Sequence, residues 1–149
     1  MQLEDILTPE RCYCDVEGVS KKRLLKTISE KIEEDVGYLD ANTLFDALMS
    51  RERLGSTGLG NGIAIPHCKL AECREIIGSI VTLDTPVEFD AVDSNPVDLL
   101  FVLIVPDEES DEHVKLLGQV AQLFNDENFC LIMRNTHDDA DLYNVAITY

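Results

Sequence analysis

Positive charge is scarce in this chain. Twelve Lys and Arg face 29 Asp and Glu, a formal balance of −17, and a surface of that sign is repelled by a nucleic acid duplex or an anionic membrane. No nucleic acid partner is expected. Long apolar runs are missing too: the longest, Leu99 to Val105, falls far short of the roughly 20 residues of a spanning helix, so no membrane insertion is expected. The start, Met1-Gln2-Leu3-Glu4-Asp5, is acidic and lacks the apolar stretch of a secretory signal. Five cysteines are an odd number, and in an unexported chain they read as reduced thiols rather than a disulfide framework. The compartment read from this is the cytoplasm. Neither Cys12 and Cys14 nor Cys68 and Cys73 have the Cys-x2-Cys spacing of a structural zinc site, so neither a metal nor another cofactor is expected.

What is there suffices for a core. With 149 residues, 45% of them hydrophobic, the chain fits one ordinary domain over 1–149. Ser20 caps a helix over about 20 to 35 with Leu24, Leu25, Ile28 and Ile32 at helical spacing and a staple from Val19 to Leu24. A second helix, capped by Asn42 or Thr43, buries Leu44, Phe45, Ala47, Leu48 and Met49, and its last turn carries Arg51 and Arg53 where the dipole favours cations. Ile63 to Ile65 reads as a short strand ended by Pro66, and Ile76 to Leu83 as another. Val97 to Val105, a near-continuous apolar run bounded by Pro96 and Pro106, reads as a strand buried on both faces. After the acidic turn Asp107 to Glu109, Ser110 caps a helix with Leu116, Leu117, Val120, Ala121 and Phe124 on one side, and short helical turns follow near Leu131 and Leu142. Helices alternating with such strands predict an α/β sheet covered by helices on each side.

Residues 55 to 62 hold four glycines, enough to predict a loop. Successive backbone N–H groups in such a loop can converge on an anion. It is no nucleotide loop, however, because it lacks the Lys-Ser/Thr of a P-loop and it leaves a helix to enter a strand, the reverse of both nucleotide versions. What it delivers is His67, directly after Pro66. Free imidazole titrates near pH ~6.5, so one ring nitrogen offers a lone pair provided the other carries a held proton. Such a nitrogen can attack phosphorus, and the protein then has mainly to position the group and offset negative charge. Loop N–H groups including Gly58, the hydroxyls of Ser56 and Thr57, and an arginine suit that task. The plainer reading of His67 is a structural histidine satisfied at a strand end. His113, in the first turn of its helix, and His137, in a polar run, each read alone as solvated surface groups, and Arg51 alone as a helix-end charge. Cys68 neighbours His67 but points to the opposite strand face, which makes it a passive thiol rather than half of a dyad.

The run Arg51-Glu52-Arg53 followed by Ser56-Thr57-Gly58-Leu59-Gly60-Asn61-Gly62-Ile63-Ala64-Ile65-Pro66-His67 resembles the signature of the enzyme IIA domains of the fructose/mannitol class in the bacterial phosphotransferase system. Within that class it most resembles the nitrogen-regulatory branch. Leu83 to Ala91 and Pro96 to Phe101 agree, so the resemblance covers nearly the whole chain as one enzyme IIA-type (type 2) domain. It implies an α/β sandwich with a mixed central sheet, and a phosphotransferase activity in which His67 accepts phosphate from a histidine phosphocarrier protein fed by phosphoenolpyruvate. It also implies a helping histidine and an arginine, at positions matched by His113 and Arg51. The family usually has glycine after the acceptor, where this chain has Cys68. In sugar-transporting relatives the phosphate passes to an enzyme IIB, whereas the nitrogen branch resembles a regulator whose phosphorylated and free forms bind different target proteins. A module that binds without being phosphorylated is the third expectation.

Overall fold

The structure, a computed structural model, describes residues 2–108 and 110–149. Glu109 of the expected acidic turn lies outside the described residues. Two 3-10 turns, Leu3–Asp5 and Pro9–Arg11, lead into strand β1 (Cys12–Val16) and helices α1 (Lys21–Asp35) and α2 (Ala41–Leu54). Four strands follow in a row, short β2 (Gly58–Gly60), β3 (Ile63–Ala64) and β4 (His67–Leu70), then β5 (Ile77–Val87). The chain ends β6 (Val97–Pro106), α3 (Asp111–Phe124), α4 (Glu127–Arg134) and α5 (Asp139–Thr148).

The sheet is mixed, in the order β1-β5-β6-β3-β2, with β4 also pairing β6. β5 and β6 are antiparallel, β1 runs parallel to β5, and β3 and β4 both run parallel to β6. β6 is the apolar run expected to be buried on both faces, and its alternation divides the core in two. Leu100, Val102 and Ile104 pack with Leu24, Leu25, Ile28 and Ile32 of α1 and Leu44 and Leu48 of α2. Leu99, Phe101, Leu103 and Val105 pack on the other side with Leu116, Val120 and Phe124 of α3, Phe129 of α4 and Leu142 of α5. Helices thus cover both faces, the three-layer sandwich the pattern predicted.

Details differ from expectation for local reasons. α2 is capped by Asp40, whose carboxylate accepts from Thr43 N–H and from the Thr43 hydroxyl, so the helix starts earlier than a cap at Asn42 or Thr43 would allow. Phe45, Ala47 and Met49 are only half-buried. Val19 is largely exposed and does not staple Leu24. The glycine-rich loop is partly sheet: Gly58↔Ala64 and Gly60↔Ile63 pair across a turn in which Asn61 and Gly62 have φ of 58° and 79°. Two successive positive φ values are what an Asn-Gly hairpin turn requires.

β3 and β4 are one strand interrupted. Both lie along β6, Ile63↔Leu99 and then His67↔Leu103, and the ladder breaks at Ile65-Pro66. Proline has no N–H to give to a ladder. The break frees the Ile65 carbonyl at the point where His67 begins β4.

Candidate functional site

His67 is half-buried at the start of β4. Its Nδ1 lies 2.8 Å from the carbonyl oxygen of Ile65, and Arg51 Nε donates to its Nε2 at 3.3 Å. A carbonyl only accepts and a guanidinium only donates, so these partners assign the proton to Nδ1 and leave the lone pair on Nε2. Arg51 sits in the last turn of α2 as expected, and its Nη1 donates to Gly55 O at 2.8 Å. The guanidinium is thereby held with one edge toward the ring.

Arg51, His67 and His113 line one cleft of about 650 Å³, and its walls include Leu54, Leu103, Val105, Val114 and Leu117. Leu54 and Val114 stand 85% and 73% exposed, so apolar side chains border the polar centre. A second cleft, about 450 Å³, shares Arg51 and His67 and adds Ser56, Thr57 and Leu59. The acceptor candidate and its arginine therefore border both. His113 Nδ1 is buried with no hydrogen-bond partner among the described residues. His137 lies elsewhere, paired with Asp15 at 2.9 Å.

The loop candidates are close but already engaged. The Ser56 hydroxyl donates to Phe89 O and accepts from Gly58 N–H at 3.0 Å. The Thr57 hydroxyl and N–H both donate to the carboxylate of Glu52. Glu52 is buried, and Lys21 Nζ pairs with it at 2.8 Å. Sequence reasoning passed over Glu52 as one of three consecutive charged residues. Its signal was the spacing Leu44, Leu48, Glu52, which places it on the buried stripe of α2. Arg134 was missed as well: it donates to Asn61 O at 2.7 Å and to Asp98 Oδ1 at 3.0 Å, pinning the hairpin turn that leads to His67.

Cys68 points into the opposite core layer. Burial, with a smaller push from Cys73, raises its thiol to about 12, so it is no thiolate near neutrality. All five cysteines are free thiols. Among the described residues no group of three or more His, Cys, Asp or Glu side chains is arranged to hold a metal ion, and no helix is long and apolar enough to cross a membrane.

An imidazole and a guanidinium thus meet at an apolar-walled cleft on a mixed sheet between two helical layers, an arrangement chemically suited to an anionic group. The family model described as phosphoenolpyruvate-dependent sugar phosphotransferase system, EIIA 2, matches residues 5–147, and the chain belongs to that family of phosphoryl carriers. It is 45% identical over 147 residues to a nitrogen regulatory protein of Pseudomonas aeruginosa, covering 99% of this chain and 96% of the relative. A nitrogen regulatory protein of Escherichia coli K12 is 42% identical over 146 residues, 97% of this chain and 89% of the relative. Among solved structures, nitrogen regulatory protein IIA-Ntr from Neisseria meningitidis superposes with a TM-score of 0.88 at 33% identity, covering 95% of this chain and 97% of that one. IIA mannitol from Escherichia coli shares the fold, with a TM-score of 0.75 at 19% identity over 94% of this chain and 99% of that one.

Proposed function

We propose that this chain is a cytoplasmic phosphohistidine carrier of a bacterial phosphotransferase system, acting as one domain over 1–149, with regulation of target proteins as its output. His67 Nε2 takes the phosphoryl group from the phosphohistidine of a histidine phosphocarrier protein. The donor's N–P bond breaks with the electron pair leaving on the donor nitrogen, and a new N–P bond forms at Nε2, while the proton stays on Nδ1, donated to the Ile65 carbonyl oxygen. Arg51, held beside the ring by Gly55 O, lies against the incoming phosphoryl oxygens, where its charge offsets theirs. His113 contributes a ring at the mouth of the same cleft, and Ser56, Thr57 and Gly58 shape the loop that carries the ring to it.

The observation that carries this reading is the double grip on His67, Nδ1 on Ile65 O and Nε2 toward Arg51. A histidine satisfied only as a strand end has no reason to keep its second nitrogen against a cation in an open cleft. The similarity to nitrogen regulatory proteins supports the regulatory branch. A phosphoryl group adds about −1.5 to −2 charge to an apolar docking face, enough to favour one partner over another.

The test mixes the protein with phosphoenolpyruvate, enzyme I and the phosphocarrier and follows intact mass. One acid-labile phosphoryl group is expected on the wild type and none on His67→Ala. Equal labelling of the variant removes His67 as the acceptor. No labelling of the wild type leaves a module that acts by binding alone, and loss of label on adding sugar to membranes moves the chain to the transport branch that donates to an enzyme IIB.

A further inference from the structure

We propose that Glu52 is a positioning residue that holds the His67 ring in its Nε2-nucleophilic tautomer through the relay Glu52, Thr57, Ile65. The inference rests on the reading of His67 as the acceptor and concerns what keeps that ring ready.

Glu52 is an expensive residue to bury. Its side chain is 2% exposed, and the carboxylate is compensated by Lys21 Nζ at 2.8 Å, by Thr57 N–H at 3.2 Å and by the Thr57 hydroxyl. Buried carboxylates are retained only when paired and hydrogen-bonded. A leucine at this position would extend the stripe of Leu44 and Leu48 at no such cost. What the carboxylate gains is a grip on Thr57 at two atoms, which fixes the orientation of that peptide. Lys21 is fixed in turn over the Phe89 ring, 4.7 Å from its centre, so the grip is anchored in α1.

From Thr57 the relay is short. Its carbonyl accepts from Ile65 N–H at 3.1 Å, across the hairpin beyond the last strand pair. Ile65 lies in the gap between β3 and β4, where no ladder holds it, and Pro66 has no N–H to help. The Thr57 bond is the backbone tether on the near side of the gap, and Leu103 N–H to Pro66 O, at 2.9 Å, is the one on the far side. Between these two tethers the Ile65 carbonyl is aimed at His67 Nδ1. A ring protonated at Nε2 instead would turn two lone pairs toward each other at 2.8 Å and present an N–H to Arg51. Both contacts are repulsive, so the aim of that one carbonyl selects the tautomer.

The measurement is the nitrogen spectrum of the imidazole, with the rate of phosphoryl acceptance read beside it. Protein labelled with ¹⁵N is compared as wild type, Glu52→Gln and Thr57→Val, using long-range proton–nitrogen correlations that distinguish Nδ1–H from Nε2–H. Wild type is expected to show Nδ1–H at His67. Glu52→Gln is expected to populate Nε2–H and to slow acceptance from the phosphocarrier by up to about 100-fold, the scale of a misplaced reacting group. Thr57→Val, which keeps both backbone bonds and loses the hydroxyl, is expected to shift in the same direction by less. If Glu52→Gln does not fold, Thr57→Val decides on the same readouts. Folded variants with an unchanged tautomer, whether or not the rate falls, overturn the proposal. A shifted tautomer in protein whose wild type takes no label upholds the relay and sinks the acceptor reading instead.

Discussion

Arg51 is where a single side chain has most to answer for. Its Nε faces His67 Nε2 and its Nη1 is tied to Gly55 O, so its position is fixed before any phosphate arrives. Fixed donors stabilise developing charge without paying for reorganisation at the moment of reaction. Arg51→Ala is therefore expected to slow labelling by about 10²-fold or more, the cost of losing one such donor. Arg51→Lys is expected to recover only part of it, because an ammonium on a flexible stem cannot span the carbonyl and the ring as the planar fork does. Stopped labelling time courses at varied phosphocarrier concentration check this: the maximal rate falls in both variants while urea midpoints stay near wild type. A rate for Arg51→Lys equal to wild type would reduce Arg51 to a bulk charge. At this scale the loop and His67 stood out by residue type and spacing, whereas Arg51 and His113 read alone as a helix-end charge and a surface group and were singled out by the family resemblance; all three line one cleft. Glu52 was not legible, because a charged residue between two arginines reads as solvated, and only its spacing from Leu44 and Leu48 says otherwise.

Elements were legible where periodicity was long and obscure where pairing was remote. α1, α3 and β6 repeat their apolar pattern over enough residues to be read directly. β2 and β3 are three and two residues long and exist because β6 supplies a ladder to β3 and β3 one to β2, which no local pattern records. Asn61-Gly62 was the local clue to their hairpin, masked by the glycines on either side. The cap of α2 was ambiguous because Asp40, Asn42 and Thr43 all suit an N-cap, and Asp40 wins by using Thr43 as its donor. That choice is measurable. The Thr43 N–H, and after it the Thr43 hydroxyl, hold the Asp40 carboxyl below its ordinary value. A carboxyl lowered on folding contributes stability that is complete above the unfolded value and disappears as pH falls through the folded one. Asp40→Ala is thus expected to lower the urea midpoint at neutral pH, with the gap from wild type narrowing below pH about 4. A gap that stays constant into acid would mean that the neutral carboxyl caps equally well.

Over the whole molecule two charge effects oppose each other. The balance of −17 repels itself, whereas the start of α1 gathers Lys21, Lys22, Arg23 and Lys26, four of the twelve basic residues, ahead of the acidic Glu30, Glu33, Glu34 and Asp35, and attracts acidic groups elsewhere. Salt weakens both. Exposed charges feel each other over about 30 Å at 0.01 M salt and about 8 Å at 0.15 M, so screening removes distant pairs first. Repulsion among 29 acidic groups spread over the surface is the longer-ranged sum, while buried pairs such as Lys21 with Glu52 are screened least. Repulsion should therefore lose more than attraction, and the thermal midpoint is expected to rise as salt is added across that range. The phosphorylated form, carrying about −1.5 to −2 more charge, should start lower and rise further. Calorimetry of both forms over a salt series tests the order of these effects. A midpoint that falls with salt would show that attraction to the basic start of α1 outweighs the repulsion of the surplus acid.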